Sequence, residues 1–198
     1  MKWRFGHLLV LLFSMPVIAV GVLSVSKSFE EKPLPQFGKV PPFELFERSG
    51  DRIGSKELEN RVWIASFIFT SCGGQCPIIT ARMKEIQSKL RFKEALRLVS
   101  ISVDPTRDTT KALQEYAIRY GADPYKWWFL TGPDKEIQSL VRNGFRLSNV
   151  EDKGEIIHSE KLVLVDHRGF MRGYYDANDD RQMKQIIRDA KALIRQVF

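Results

Sequence analysis

Val62-Trp63-Ile64-Ala65-Ser66-Phe67-Ile68-Phe69-Thr70-Ser71-Cys72-Gly73-Gly74-Gln75-Cys76-Pro77 begins as an apolar run and ends in two cysteines, two glycines and a proline. Val62 to Phe69 is β-branched and aromatic, and its length is that of a buried strand. Pro77 suits the first turn of a helix, because the N–H it lacks would have no partner there. The only cysteines of the chain are therefore predicted at a strand-to-helix junction. The partial positive charge and free N–H groups of a helix N-terminus favour thiolate over thiol, which raises reactivity towards disulfides and soft metals. If the helix runs back to Cys72, the cysteines are i and i+4 on one face, and both sulfurs reach one metal ion or each other.

Outward from this junction the pattern alternates. Ile79, Met83, Ile86 and Leu90 recur at helical spacing, with Arg82, Lys84 and Lys89 between them, and Met83 reads as core rather than as a metal ligand. Leu96 to Val103 is a second apolar strand. It runs into the turn Asp104-Pro105-Thr106-Arg107-Asp108-Thr109, from which Asp108 is expected to cap a helix marked by Leu113, Tyr116, Ala117 and Tyr120. Strand, helix, strand, helix implies parallel pairing. Tyr125 to Leu130 is predicted as a third strand, and Pro133 to Val141 as a short helix with Ile137, Leu140 and Val141 inward. Residues 145–157 read as a strand and a charged loop. Leu162-Val163-Leu164-Val165 and Met171 to Tyr175 flank Asp166-His167-Arg168-Gly169 as a β-hairpin. In the last helix Met183, Ile186, Ile187, Ala190, Leu193, Ile194 and Val197 form one apolar face, with Asp179 and Asp180 at its N-terminus. On the N-terminal side, Phe43 to Phe46 and Ser49-Gly50-Asp51 give a short strand and turn, and Ser55 to Leu58 one helical turn. This order is that of an α/β, thioredoxin-like domain with a β-hairpin insertion.

With 198 residues, 43% of them hydrophobic, the chain holds one ordinary core and an appendage. Lys2 and Arg4 precede a stretch, Phe5 to Ser26, without Asp, Glu, Lys or Arg. As a helix it is long enough to cross about 30 Å of hydrocarbon. The bases before it place everything after Lys27 outside the cytoplasm. It exceeds the roughly 7–15 residues of a secretory apolar core, which favours a retained anchor, while Pro16, Ser24 and Ser26 leave cleavage open. We therefore read residues 1–26 as membrane anchor or signal sequence, 27–37 as a proline-containing tether and 38–198 as the domain. The expected location is the inner membrane, single pass, with the domain in the periplasm or otherwise outside the cytoplasm. Formal net charge is +7, of which +5 remains without the first 26 residues because only Lys2 and Arg4 go. No Lys/Arg block with interleaved aromatics marks a nucleic-acid groove; the charges mostly occupy the outer faces of predicted helices, which reads as a solvated surface, and an acidic partner protein or an anionic membrane surface is left open. Hydrolytic catalysis is not indicated: there is no general acid–base pair, phosphate loop or nucleophile-histidine-carboxylate order.

A disulfide between Cys72 and Cys76 closes a loop of only five residues, worth about 2 kcal/mol by chain entropy, and ties no distant elements together. A purely structural bridge is therefore a weak reading, and redox change or metal capture a better one. Two soft thiolates select copper or zinc, but a third ligand is needed to fix geometry, and imidazole suits either metal. Of the three histidines, His7 lies in the apolar N-terminal run. His167 occupies the hairpin turn, where solvent exposure is the default. His158 precedes the strand at 161–165, after a charged loop that can fold back over the cysteines. Composition alone leaves the third ligand open.

Phe69-Thr70-Ser71-Cys72-Gly73-Gly74-Gln75-Cys76-Pro77, then Ser102-Val103-Asp104-Pro105-Thr106-Arg107-Asp108-Thr109, then His158-Ser159 before Leu162-Val163-Leu164-Val165-Asp166 resemble, in order, the three signature segments of the Sco (SenC) family over roughly residues 38–195. The resemblance implies a membrane-tethered, thioredoxin-like copper protein that helps metallate the binuclear copper centre of cytochrome c oxidase. It maps the copper ligands, for Cu(I) and Cu(II), onto Cys72, Cys76 and His158. Gly73-Gly74 departs from the proline-acid pair common in the loop, and Thr110 stands where the family often has proline. Asp104 and Asp108 are candidate outer-sphere or fourth-ligand groups, though turn formation and helix capping account for them. Implied partners are the copper-site subunit of the oxidase and another copper chaperone or a thiol-disulfide reductant. The alternative function is a thiol-disulfide reductase cycling Cys72 and Cys76 through a disulfide, and a single-thiol peroxidase is a weaker third.

Overall fold

The structure, a computed structural model, describes residues 33–90, 94–147 and 160–197. Among these no helix is long and apolar enough to cross a membrane, and the run from Phe5 to Ser26 lies outside them. The fold belongs to the unit 34–198.

Eight strands form one sheet: β1 (Gly38–Lys39), β2 (Glu44–Glu47), β3 (Arg52–Gly54), β4 (Val62–Ile68), β5 (Leu96–Ser102), β6 (Trp127–Thr131), β7 (Lys161–Val165) and β8 (Phe170–Asp176). Their spatial order is β1-β8-β7-β4-β5-β6-β2-β3. The helices are α1 (Gln75–Lys89), α2 (Thr110–Tyr120), α3 (Asp134–Ser139) and α4 (Asp180–Val197), with a 3-10 turn at Ser55–Leu58. As expected, β4 pairs parallel with β5, and β5 with β6. The hairpin β7–β8 packs antiparallel on the other side of β4, with Gly169 at φ +83° in its turn, a conformation that suits glycine.

β4 is central, and all seven of its residues are buried because both sheet faces are covered. Val62, Ile64 and Ile68 face a core completed by α1, α2 and α4, including Met83, Tyr116, Ile186 and Leu193. Trp63, Ala65 and Phe67 face a second core with Ile137, Leu140, Val141 and Phe145. A continuous apolar run is what a strand covered on both faces requires. Its one polar member, Ser66, bonds Ser100 Oγ (2.8 Å) on β5, which also accepts from Trp127 Nε1 (2.9 Å).

The helix α2 is capped by Thr109, whose side chain accepts from the Ala112 N–H at 3.2 Å, and not by Asp108. The strand expected from Tyr125 begins at Trp127, and Tyr125 is 80% exposed. After α3 the chain widens into a π-turn, Leu140–Gly144, closed by Phe145 N–H on the Leu140 carbonyl (2.8 Å). Phe145 is thus buried at a helix end and not in a strand. The remainder of 145–157, from residue 148 onward, lies outside the described residues.

Candidate metal and redox site

The cysteines sit beyond the C-terminal end of β4. Helix α1 starts at Gln75, so Cys76 and Pro77 are its second and third residues, and Cys72 lies outside it. The expectation that both cysteines share a helix face is therefore corrected, and the contact is made differently. Gly74, the N-cap, has no side chain to receive the free amides of the first turn. The Cys72 N–H closes a turn on the Phe69 carbonyl (3.2 Å), folding the sulfur back so that the Cys76 N–H donates to Cys72 Sγ at 3.5 Å. Cys72 is half-buried, Cys76 is 4% exposed, and both thiols are free.

The two thiols differ in acidity. Burial pushes Cys72 up, but the Cys76 N–H and thiol, with the Gly74 and Gln75 amides, outweigh it and leave its pKa lowered. Burial pushes Cys76 up to about 12, against the Phe69 N–H, and the neighbouring Cys72 and the Asp108 charge push the same way. The more accessible thiol, Cys72, is thus the stronger acid, as the nucleophile of such a pair should be.

Asp108, read from sequence as a cap, is instead wholly buried behind this loop. Its carboxylate accepts from Thr70 N–H (3.0 and 3.2 Å), Thr70 Oγ1 (2.5 Å) and Ser102 Oγ (2.6 Å). A buried carboxylate needs such donors, and here they come from the ends of two adjacent strands, since Ile68 and Ser102 are register partners. The network ties the start of the cysteine loop to the end of β5. Asp104 is committed to its own turn, accepting from Thr106 Oγ1 (2.8 Å) and pairing with Arg107. Below the loop, Thr80 Oγ1 donates to the Cys76 carbonyl (2.7 Å) and meets the Tyr116 hydroxyl (2.8 Å), locking α1 to α2. The sequence marks Thr70 and Ser102 only as hydroxyl residues at the ends of two apolar strands, and Thr80, inside α1, carries no local signal of its role.

Among the described residues no group of three or more His, Cys, Asp or Glu could hold a metal ion. His167 lies in the β7–β8 turn, half-buried, its carbonyl accepting from the Asn60 N–H (3.0 Å). It lines a cleft of about 480 Å³ with Lys39, Asn60 and Trp63, where β4 begins, so the length of β4, about 23 Å, separates it from the thiols. His7 and His158 lie outside the described residues. The side-chain oxygen of Gln75, between the cysteines, is buried without a hydrogen-bond partner among the described residues.

The SCO1/SenC family model matches residues 32–195. The SCO1 protein homolog of Bacillus subtilis (strain 168) is 32% identical over 158 residues, covering 78% of this chain and 82% of that protein. The solved structure of BsSco, described as a member of the Sco family of cytochrome c oxidase assembly proteins with a disulfide switch, has a TM-score of 0.74 at 30% identity, covering 83% of this chain and 99% of that one. Arabidopsis thaliana ScoI with copper bound has a TM-score of 0.67 at 26% identity, covering 80% and 99%. The match takes in the cysteine loop, the Asp108 turn and the closing helix together, and the chain belongs to the SCO1/SenC family.

Proposed function

We propose that this protein is a copper chaperone that delivers copper to the binuclear copper centre of cytochrome c oxidase during assembly. The observation that carries the reading is the pair of free thiols folded together at the start of α1, with the Cys76 amide on Cys72 Sγ. Two soft sulfurs beside helix amides favour Cu(I), and family relatives include a copper-bound Sco protein. His158 is the proposed third ligand, carried over from the family resemblance. The placement of His167 at the far end of β4 supports this by removing the other histidine of the domain. Water or another oxygen donor would complete a Cu(II) site. Loading releases thiol and imidazole protons, so affinity falls as pH falls. Oxidation of Cys72 and Cys76 to a disulfide leaves no thiolate for copper, and a thiol-disulfide reductant is then required before reloading.

The test is Cu(I) and Cu(II) affinity of the domain and its variants. Cys72→Ser and Cys76→Ser should abolish retention. His158→Ala should lower affinity on the order of 100-fold, the upper end of what losing even a supporting group costs, with the disulfide still formable. Unchanged affinity would remove His158 from the site, and zinc preference without copper retention would overturn the function. The half-buried, more acidic Cys72 beside a buried Cys76 also suits a thiol-disulfide reductase. That second reading is favoured if the His158→Ala protein still supports oxidase assembly in cells.

A further inference from the structure

Helix α4 carries a row of five bases outside the thiol site; Arg181 and Arg195 at its two ends also interact within the fold, and the charge of the row rests on Lys184, Arg188 and Lys191 between them. Arg181, Lys184, Arg188, Lys191 and Arg195 are all exposed and follow one another at steps of 3, 4, 3 and 4 residues. At 3.6 residues per turn this confines them to a strip about 80° wide and about 21 Å long. The opposite face, Met183, Ile186, Ile187, Ala190, Leu193 and Ile194, is buried in the core. Exposed helices usually intersperse acids with bases at i,i+4, but this strip contains no acid. The two carboxylates of the helix are engaged elsewhere: Asp180 with Arg82 of α1 (2.5 Å) and Asp189 with the Tyr175 hydroxyl (2.7 Å). Asp179, just before the helix, lies 3.5 Å from Arg181 Nε and screens only the N-terminal end.

We propose that this strip docks the domain on an anionic phospholipid surface. A protein partner fits it less well, because protein interfaces are anchored by aromatic and large apolar side chains, which the strip lacks. The exposed large apolar residues among those described are Phe37, Phe46, Ile78, Ile118 and Tyr125, none of them on α4. Phosphate headgroups attract Lys and Arg through a diffuse field and need no anchor. With its apolar face committed to the core except for half-buried Val197 at its end, α4 has no apolar stripe to insert, so the association is electrostatic and salt-sensitive. The charge-free run from Phe5 to Ser26, read as an anchor, would hold the domain near a bilayer, where weak attraction acts at high effective concentration. Neither copper nor the thiols take part, so this inference and the chaperone reading stand or fall separately.

The test uses residues 34–198, the unit that contains both cores, with its folding checked by circular dichroism. Co-sedimentation is measured with phosphatidylcholine vesicles and with vesicles containing phosphatidylglycerol, at low and at 0.5 M salt, roughly a tenfold range that collapses the Debye length. The domain should bind only the anionic vesicles, and only at low salt. Replacing Lys184, Arg188 and Lys191 together by Gln should lower partitioning about 100-fold, at about fivefold per base. Lys184→Arg with Lys191→Arg should retain binding, separating charge from any disturbance of the helix. A control with Lys56, Lys111 and Lys135 replaced by Gln removes the same net charge from other exposed positions and should lose far less. The inference is overturned if the wild-type domain ignores anionic vesicles, binds phosphatidylcholine equally, or loses the same binding in both triple variants.

Discussion

Replacing Asp108 by Asn tests whether the buried carboxylate behind the cysteine loop holds the loop and tunes its buried thiol. The native carboxylate offers both oxygens: Thr70 N–H reaches both, Thr70 Oγ1 one and Ser102 Oγ the other. Asparagine keeps one acceptor and turns the other position into a donor, so one charge-assisted bond is lost and the others become neutral. Hydrogen bonds to charged groups contribute about 1.5–3 kcal/mol and neutral ones about 1, but burying a neutral amide costs less than burying a carboxylate and offsets roughly half of that loss, so the net cost is about 2 kcal/mol, a fall in Tm of about 4–8 °C for a domain of this size. The negative charge that helps hold Cys76 near 12 also disappears. The assay is the pH dependence of Cys76 alkylation in a Cys72→Ser background, with thermal melting alongside. Asp108→Asn should shift the onset of alkylation to lower pH while lowering Tm. A protein that stays folded with an unmoved or upward-shifted alkylation profile would refute the electrostatic role of Asp108.

The remaining predictions concern the thiol pair and the hairpin. With a pKa of about 12, Cys76 holds only about one thiolate in 10⁵ at pH 7, so iodoacetamide should label Cys72 first, and equal labelling in peptide maps would contradict the asymmetry. In the hairpin turn, buried Asp166 accepts from Arg172 (2.8 Å) and from the Arg168 and Phe170 amides (2.9 and 3.0 Å). Burial alone would raise its pKa, but these donors, Arg172 foremost, leave it lowered. Its stabilisation is therefore complete above the unfolded carboxylate pKa of about 3.9 and is lost as pH falls through the lower folded value. Arg172→Met strands the carboxylate at a cost of about 3–5 kcal/mol and should move acid unfolding, followed by circular dichroism, to higher pH. Coincident midpoints would show that the pair is not what protects the fold from acid.

Much of the fold could be read locally, because helices and strands write their period into short windows. The run from Val62 to Phe69 has no alternation because β4 is covered on both faces, and the seven apolar positions named in α4 follow the helical repeat. The parallel β4–β5–β6 ladder followed from the strand-helix order and the β7–β8 hairpin from its turn. What failed was read too locally. Asp108 stands where a cap belongs, and only its distance from Thr70, 38 residues away in sequence, shows why it is buried. The π-turn after Ser139 delivers Phe145 to the core beside Trp63 and Phe67, a contact that no window of residues 140–145 displays.

The sequence alone determined that two thiols stand at a strand-to-helix junction, since an apolar run, a Cys-x-x-x-Cys spacing and a proline suffice for that. Three-dimensional packing is what puts Cys72 outside the helix with the Cys76 amide on its sulfur, makes the two thiols differ in acidity, and sets His167 at the far end of β4. Each of these depends on which groups the parallel register and the burial of both sheet faces bring together, and contacts between distant residues leave no periodic mark on the chain that makes them.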